Sequence, residues 1–201
     1  PRGERPRVVR RAIYRGPWRV DLSVRDGVVS PVAGAELARV VAAALSAVAA
    51  PAPASIGLIL SDDAELAELN AVHLGKTGPT DVLSFPLLAP EAFPPHPGGM
   101  DRGAGSDRGA GAALEFPLPP GRRPHLGDIV ISVERAADQA RTGRGGHTGD
   151  VGWSLPEELR LLATHGTLHI CGWDHADPEE EAAMRALEVR LLQSNASANG
   201  P

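Results

Sequence analysis

The chain has 201 residues, with 20 Lys or Arg against 25 Asp or Glu and a formal charge of −5; the length suits one domain with additions, and the balance excludes a uniformly basic nucleic-acid binder. No apolar run reaches the roughly 18 residues of a membrane span, and one Cys excludes an internal disulfide or a CxxC metal site and fits a reducing, cytoplasmic setting. Gly (23) and Pro (19) make up about a fifth of the chain, more than a fully packed domain absorbs.

Residues 1–20 hold seven Arg and one Glu, leaving −11 for the remainder. They lack the apolar core and small-residue cleavage site of a secretory signal. Residues 1–17 read as a solvated, disordered tail, with phosphate contact as the alternative. A first strand is expected over 20–29, where Val20, Leu22 and Val24 alternate with Asp21, Ser23 and Arg25. A helix follows over 35–50, with Leu37, Val40, Val41, Ala44, Leu45 and Val48 on one stripe. Residues 55–60 (SIGLIL) form a short buried strand. Asp62 and Glu65 then resemble a capping box, opening a helix through about Val72. Residues 80–85 (TDVLSF) make a third strand, ended by Pro86.

From Ala89 to Pro124 the character changes. Eight Pro and seven Gly fall in 36 residues, and DRGAG occurs twice. Such a segment buries too little to offset the entropy of ordering it, so it reads as a disordered insertion between two strands. A fourth strand is expected over 127–133 and a short helix over 134–141, followed by a glycine-rich loop over 143–152. Ser154 and Glu157 frame a capping box around Pro156. The helix they open carries Leu155, Leu159, Leu162, Gly166 and Ile170 on one face and stops at Gly172. Asp177, Pro178 and Glu180 start a last helix to about Gln193, and 194–201 reads as a second disordered tail. Residues 18–193 are thus one domain of interleaved strands and helices. Four visible strands make it a small α/β or α+β sheet covered by helices.

The chemistry concentrates in HGTLHICGWDH, residues 165–175. His165 and His169 leave one helix face a turn apart, and Gly172 lets the chain return with His175. Three imidazoles with a fourth position left open are the layout of a catalytic zinc site; another divalent transition metal remains an alternative. The ordinary reading of an HxxxH pair is two partly exposed helix histidines, but the third histidine beyond a glycine stop argues for a ligand set. The other histidines, His73, His96, His125 and His147, show no comparable spacing. First, fifth and eleventh positions are also the histidine spacing of the metzincin proteases. There a Glu follows the first histidine and acts as general base; here that residue is Gly166. Cys171 is an alternative extra ligand for a closed structural site, although its position suits a small apolar residue at the helix end.

The string HGTLHICGWDH resembles the HGxLHxxGxDH signature of the YbeY family, bacterial endoribonucleases of ribosomal RNA maturation. Two further blocks are similar to that family in order and spacing: LNAVHLGKTGPTDVLSFP at 69–86 and LGDIVIS at 126–132. The resemblance covers roughly residues 18–193 outside the insertion. It implies an α+β domain with a mixed sheet of about four strands and about five helices. It implies one zinc ion per chain, held by His165, His169 and His175 in a cleft that the 80–85 strand lines. It also implies single-stranded RNA as substrate, in small-subunit rRNA 3′-end maturation and ribosome quality control. The ribosome, and possible ribosomal-protein or GTPase partners, follow from family analogy alone, and no membrane is implied.

One departure from the family concerns phosphate. The Arg that usually precedes the glycine of the turn after the first block's helix is Leu74 here, and the aromatic before it is His73. Leucine cannot make the bidentate contact of a guanidinium. Lys76, the single lysine, is the nearest substitute, with Arg122, Arg123, Arg135 and the N-terminal arginines as further RNA-binding candidates. The general base is unassigned. Asp174, beside His175, is the candidate for orienting a histidine or for serving the attacking water, and orientation is preferred. Asp81 and Asp128 read as structural, and Trp153 and Trp173 as packing residues rather than base-stacking platforms. Metal-assisted phosphodiester hydrolysis is the leading expectation. The competing ones are a zinc peptidase with an unusual base and a non-catalytic ribosome-associated metal-binding factor.

Overall fold

The computed structural model describes residues 9–97, 122–143, 154–175 and 177–197. Five strands and five helices follow in the order β1 (Val9–Arg15), β2 (Trp18–Val24), α1 (Gly34–Ala47), β3 (Ala54–Ser61), α2 (Asp63–Leu74), β4 (Val82–Pro86), β5 (His125–Ser132), α3 (Val133–Thr142), α4 (Leu155–Ile170) and α5 (Pro178–Ser197). They build one mixed sheet of order β1-β2-β3-β5-β4. β2, β3 and β5 run parallel, while the two edge strands, β1 and β4, are antiparallel to their neighbours. The fold is α+β, as the sequence implies, with one strand more than the four expected.

The extra strand corrects the reading of residues 1–17 as a tail. Val9–Arg15 pairs residue for residue with β2, from Val9 opposite Val24 to Arg15 opposite Trp18, across a tight turn with Gly16 at φ 58°. Most β1 side chains are exposed, so no apolar alternation announces it. The ladder and the contact of half-buried Ile13 with the core hold it in place. Residues 1–8 lie outside the described set. The first expected strand begins two residues earlier than predicted and ends at Val24. At the other end α5 runs to Ser197, which corrects part of the second tail.

Alternation in β2 places Trp18, Val20 and Leu22 on the face that packs α1 and α4, beside Ile56, Leu58 and Leu60 of β3 and Ile129 and Ile131 of β5. The central strands β3 and β5 are nearly continuous apolar runs because helices cover both their faces. Across the sheet, Leu66 of α2 joins Leu83 and Val130 in a smaller cluster with Ile59, Leu69 and Phe85. Asp62 caps α2 by accepting from the Glu65 N–H at 2.9 Å. The reciprocal half of that box is missing, because the Glu65 carboxylate turns to Arg25 and Ser61. On α4 the box is complete: Ser154 Oγ accepts from Glu157 N–H, and the Glu157 carboxylate accepts from Ser154 N–H at 2.8 Å.

The Pro/Gly segment is also ordered at its start. Pro90–Ala92 makes a 3₁₀ turn, and Phe93 is buried in the main core. Residues 98–121, with both DRGAG copies, lie outside the described residues, as do His147 and Trp153.

Candidate metal centre

A cleft of about 840 Å³ runs along the free edge of β4. The end of α2, with His73 and Leu74, forms part of its wall. Residues 80–86 also line it, and the end of α4 with the loop to α5 contributes His165, His169, Gly172, Trp173, Asp174 and His175.

Helical periodicity places His165 and His169 one turn apart on α4, with Nε2 atoms 3.0 Å from each other. Gly172, at φ 86°, reverses the chain after Ile170. His175 then comes back over the helix end, its ring 5.2 Å from that of His169 and 6.1 Å from that of His165. One ligand atom from each of the three histidines lies within 4.8 Å of the others. The three-histidine convergence expected from the sequence is present.

The protonation states suit a cation. Burial, then the neighbouring His165 and His175, push His169 from the usual 6.5 down to about 4. It is therefore neutral near pH 7, which is the ligating form. His165 Nδ1 lies 2.7 Å from the Glu188 carboxylate of α5. That contact puts the proton on Nδ1 and leaves Nε2 as a lone pair facing the cluster, the arrangement that orients metal-ligating histidines. Glu188 was missed in the sequence, yet a signal was there. Glu180, Met184, Leu187 and Glu188 are all buried and fall on one α5 stripe, and a carboxylate on an apolar stripe calls for a partner.

Glycine at position 166 has a packing reason. A Cβ there would stand 2.7 Å from Ile129 Cγ2 and 3.2 Å from Ser84 Oγ, and Ser84 Oγ donates to the Gly166 carbonyl. A side chain at this position would press on β4 and β5, and glycine itself supplies no carboxylate beside the cluster. Cys171 is buried, and burial pushes its thiol up to about 12. It stays protonated, and it stands outside the histidine group. Asp174 lines the cleft, and its Oδ1 accepts from the His175 N–H at 2.8 Å. Asp81 Oδ1 accepts from Thr80 Oγ1 and Val82 N–H, a local turn, and Asp128 contacts His125.

The cation candidates are dispersed. No Arg or Lys is among the described residues that line the cleft. Lys76 lies two residues beyond Leu74. Arg135 is held by Asp63 at 3.1 Å. Arg123 hydrogen-bonds the Pro17 carbonyl and lies over the Tyr14 ring, at the β1–β2 turn on the opposite edge of the sheet, and exposed Arg122 precedes it.

Comparison with known proteins decides the family. The family model described as Endoribonuclease YbeY matches residues 29–196. The chain belongs to the YbeY family. Similar relatives include the Endoribonuclease YbeY of Salinispora tropica, 42% identical over 70% of this chain and 74% of that protein. The YbeY of Synechococcus sp. is 42% identical over 69% and 64%. That of Mycolicibacterium paratuberculosis is 35% identical over 87% and 81%. The aligned span is therefore between about two thirds and four fifths of these relatives' own lengths.

Proposed function

We propose that this YbeY-family chain is a metal-dependent endoribonuclease that cuts single-stranded RNA during ribosomal RNA processing, including 3′-end maturation of the small-subunit rRNA and ribosome quality control. The cytoplasm is the setting that fits this role, with the ribosome as its partner. Convergence of three imidazoles in an open cleft, in a chain whose relatives are named endoribonucleases, carries the reading. Three imidazole nitrogen donors and an open position suit zinc, one ion per chain, held by His165, His169 and His175. Such an ion, when bound, supplies Lewis acidity to a phosphoryl oxygen and to water.

The chain's own groups do the rest. Glu188 holds the His165 tautomer, and Asp174 holds the turn that carries His175. Leu74, Phe85, Pro86 and Pro90 give the cleft apolar walls, which lower the local dielectric and strengthen electrostatic stabilisation of a charged transition state. Lys76, just past the wall, is the first candidate for a phosphate contact. Arg122, Arg123 and Arg135 would meet only RNA that extends beyond the cleft. A peptidase is not favoured, because position 166 cannot present a base. A closed structural site is not favoured either, because Cys171 is buried and stands outside the histidine group.

The test is cleavage of single-stranded RNA by protein stripped of metal and then reloaded with zinc. Loss on chelation, recovery with zinc and loss in His169→Ala are expected. Cleavage indifferent to the chelator would overturn the metal's role.

A further inference from the structure

His165 and His169 ride on a rigid helix, but His175 hangs on a loop opened by a glycine, and its side chain is 57% exposed. Something must hold that loop for three nitrogens to meet at one point, since a ligand set tolerates only a few tenths of an ångström of disorder. The structure shows three restraints. Asp177 Oδ1 accepts from the N–H groups of Glu179 and Glu180, fixing where α5 begins. The fully buried Glu180 carboxylate accepts from the Asp174 N–H at 2.7 Å. The third restraint comes from far away in sequence. The His96 ring lies flat on Trp173, with centroids 4.3 Å apart and planes at 14°, and its Nδ1 is 3.6 Å from Glu180 Oε1.

His96 sits on the ordered start of the Pro/Gly segment, and this stretch is anchored along its length. Pro90 packs against Gly172, with its Cβ 3.5 Å from where a Gly172 Cβ would stand. Phe93 is buried in the main core. The His96 side chain is 12% exposed. Residues 90–96 therefore run from the glycine hinge to the tryptophan between that hinge and His175.

We propose that residues 90–96 form a strap that positions His175 for metal binding, with His96 as the positioning residue acting through its stack on Trp173. This rests on the reading that the three histidines hold a divalent ion. The strap adds no ligand. It raises affinity by restricting the loop before the ion arrives, so that less ordering is required on binding.

The test is zinc affinity of the full chain, measured by competition with a chromophoric chelator on metal-stripped protein. His96→Ala is expected to weaken zinc binding by about 10- to 100-fold, the range found when groups that orient ligands are removed. His96→Phe, which keeps a flat ring on Trp173, is expected to stay within about threefold of wild type on the same reasoning. If His96→Ala fails to fold, His96→Gln, which keeps polar reach but loses the ring, takes its place with the same expectation. Wild-type affinity in the ringless variant, or equal weakening in His96→Phe, would overturn the strap. Wild-type protein that binds no zinc would instead overturn the reading of the site itself.

Discussion

At the scale of single residues, Gly166 shows how a packing demand determines which chemistry a site can support. A protease-like spacing of histidines is present, but the next position lies against Ile129, a fully buried, β-branched side chain that cannot swing away. Gly166→Ala should therefore lower stability by about 1–2 kcal/mol, an overpacking cost partly offset by alanine's better helix propensity. The shift of the urea midpoint measures it, and an unchanged or raised midpoint would show that the helix can lift off the sheet. Sequence alone made Gly166 legible as a missing base. The reason for the glycine was not legible, because Ile129 and Ser84 are distant in the chain. Glu188 stood out only as a carboxylate on an apolar stripe, and its partner was not legible because it lies 23 residues away on another helix.

Among the elements, those with local signals were read most closely. The α4 start is written in Ser154, Pro156 and Glu157, and the structure contains both halves of that capping box. Ser154→Ala should cost about 1 kcal/mol, read as a lowered thermal midpoint with zinc affinity unchanged, because the cap sits at the end of α4 opposite His165 and His169. Loss of affinity in step with stability would mean that the whole helix, not its first turn, responds to the cap. The α2 start was half right: Asp62 caps, while Glu65 is drawn to the Arg25 guanidinium, which holds its carboxyl below the usual range. Strand β1 was missed because an edge strand with three exposed arginines carries no apolar period. Such charges blunt the open edge of a sheet against pairing with another chain. The Pro90–Ala92 turn and Phe93 were missed because composition describes a whole segment, whereas a single buried aromatic can anchor part of it.

For the molecule as a whole, the buried neutral histidine couples the site to the stability of the fold. His169 is depressed to about 4 from 6.5, so below 6.5 the unfolded chain takes up a proton that the folded one refuses. Stability is therefore complete above pH 6.5 and falls as pH drops toward 4, by at most about 1.4 kcal/mol per pH unit for one proton. Glu65 and Glu157, whose folded values lie below 4.5, add their losses only below that value. Urea midpoints of metal-stripped protein should fall between pH 6.5 and 4.5, and His169→Gln should flatten that slope. A flat wild-type profile would show that His169 is protonated in the fold. Charge is also distributed unevenly at this scale. The arginines of β1 lie at one edge of the sheet and the cleft along the other, with Leu74 in its wall.

The amino-acid order by itself determined the helix starts, most of the strands, the family likeness and the three histidines, because each is encoded within about a dozen neighbouring residues as a period, a cap or a spacing. Tertiary structure alone decided that β1 exists, that position 166 has no room for a side chain, that Glu188 faces His165 and that His96 covers Trp173. These depend on which distant segments meet when the sheet closes and the helices pack, and no local pattern records the identity of a partner that lies far along the chain.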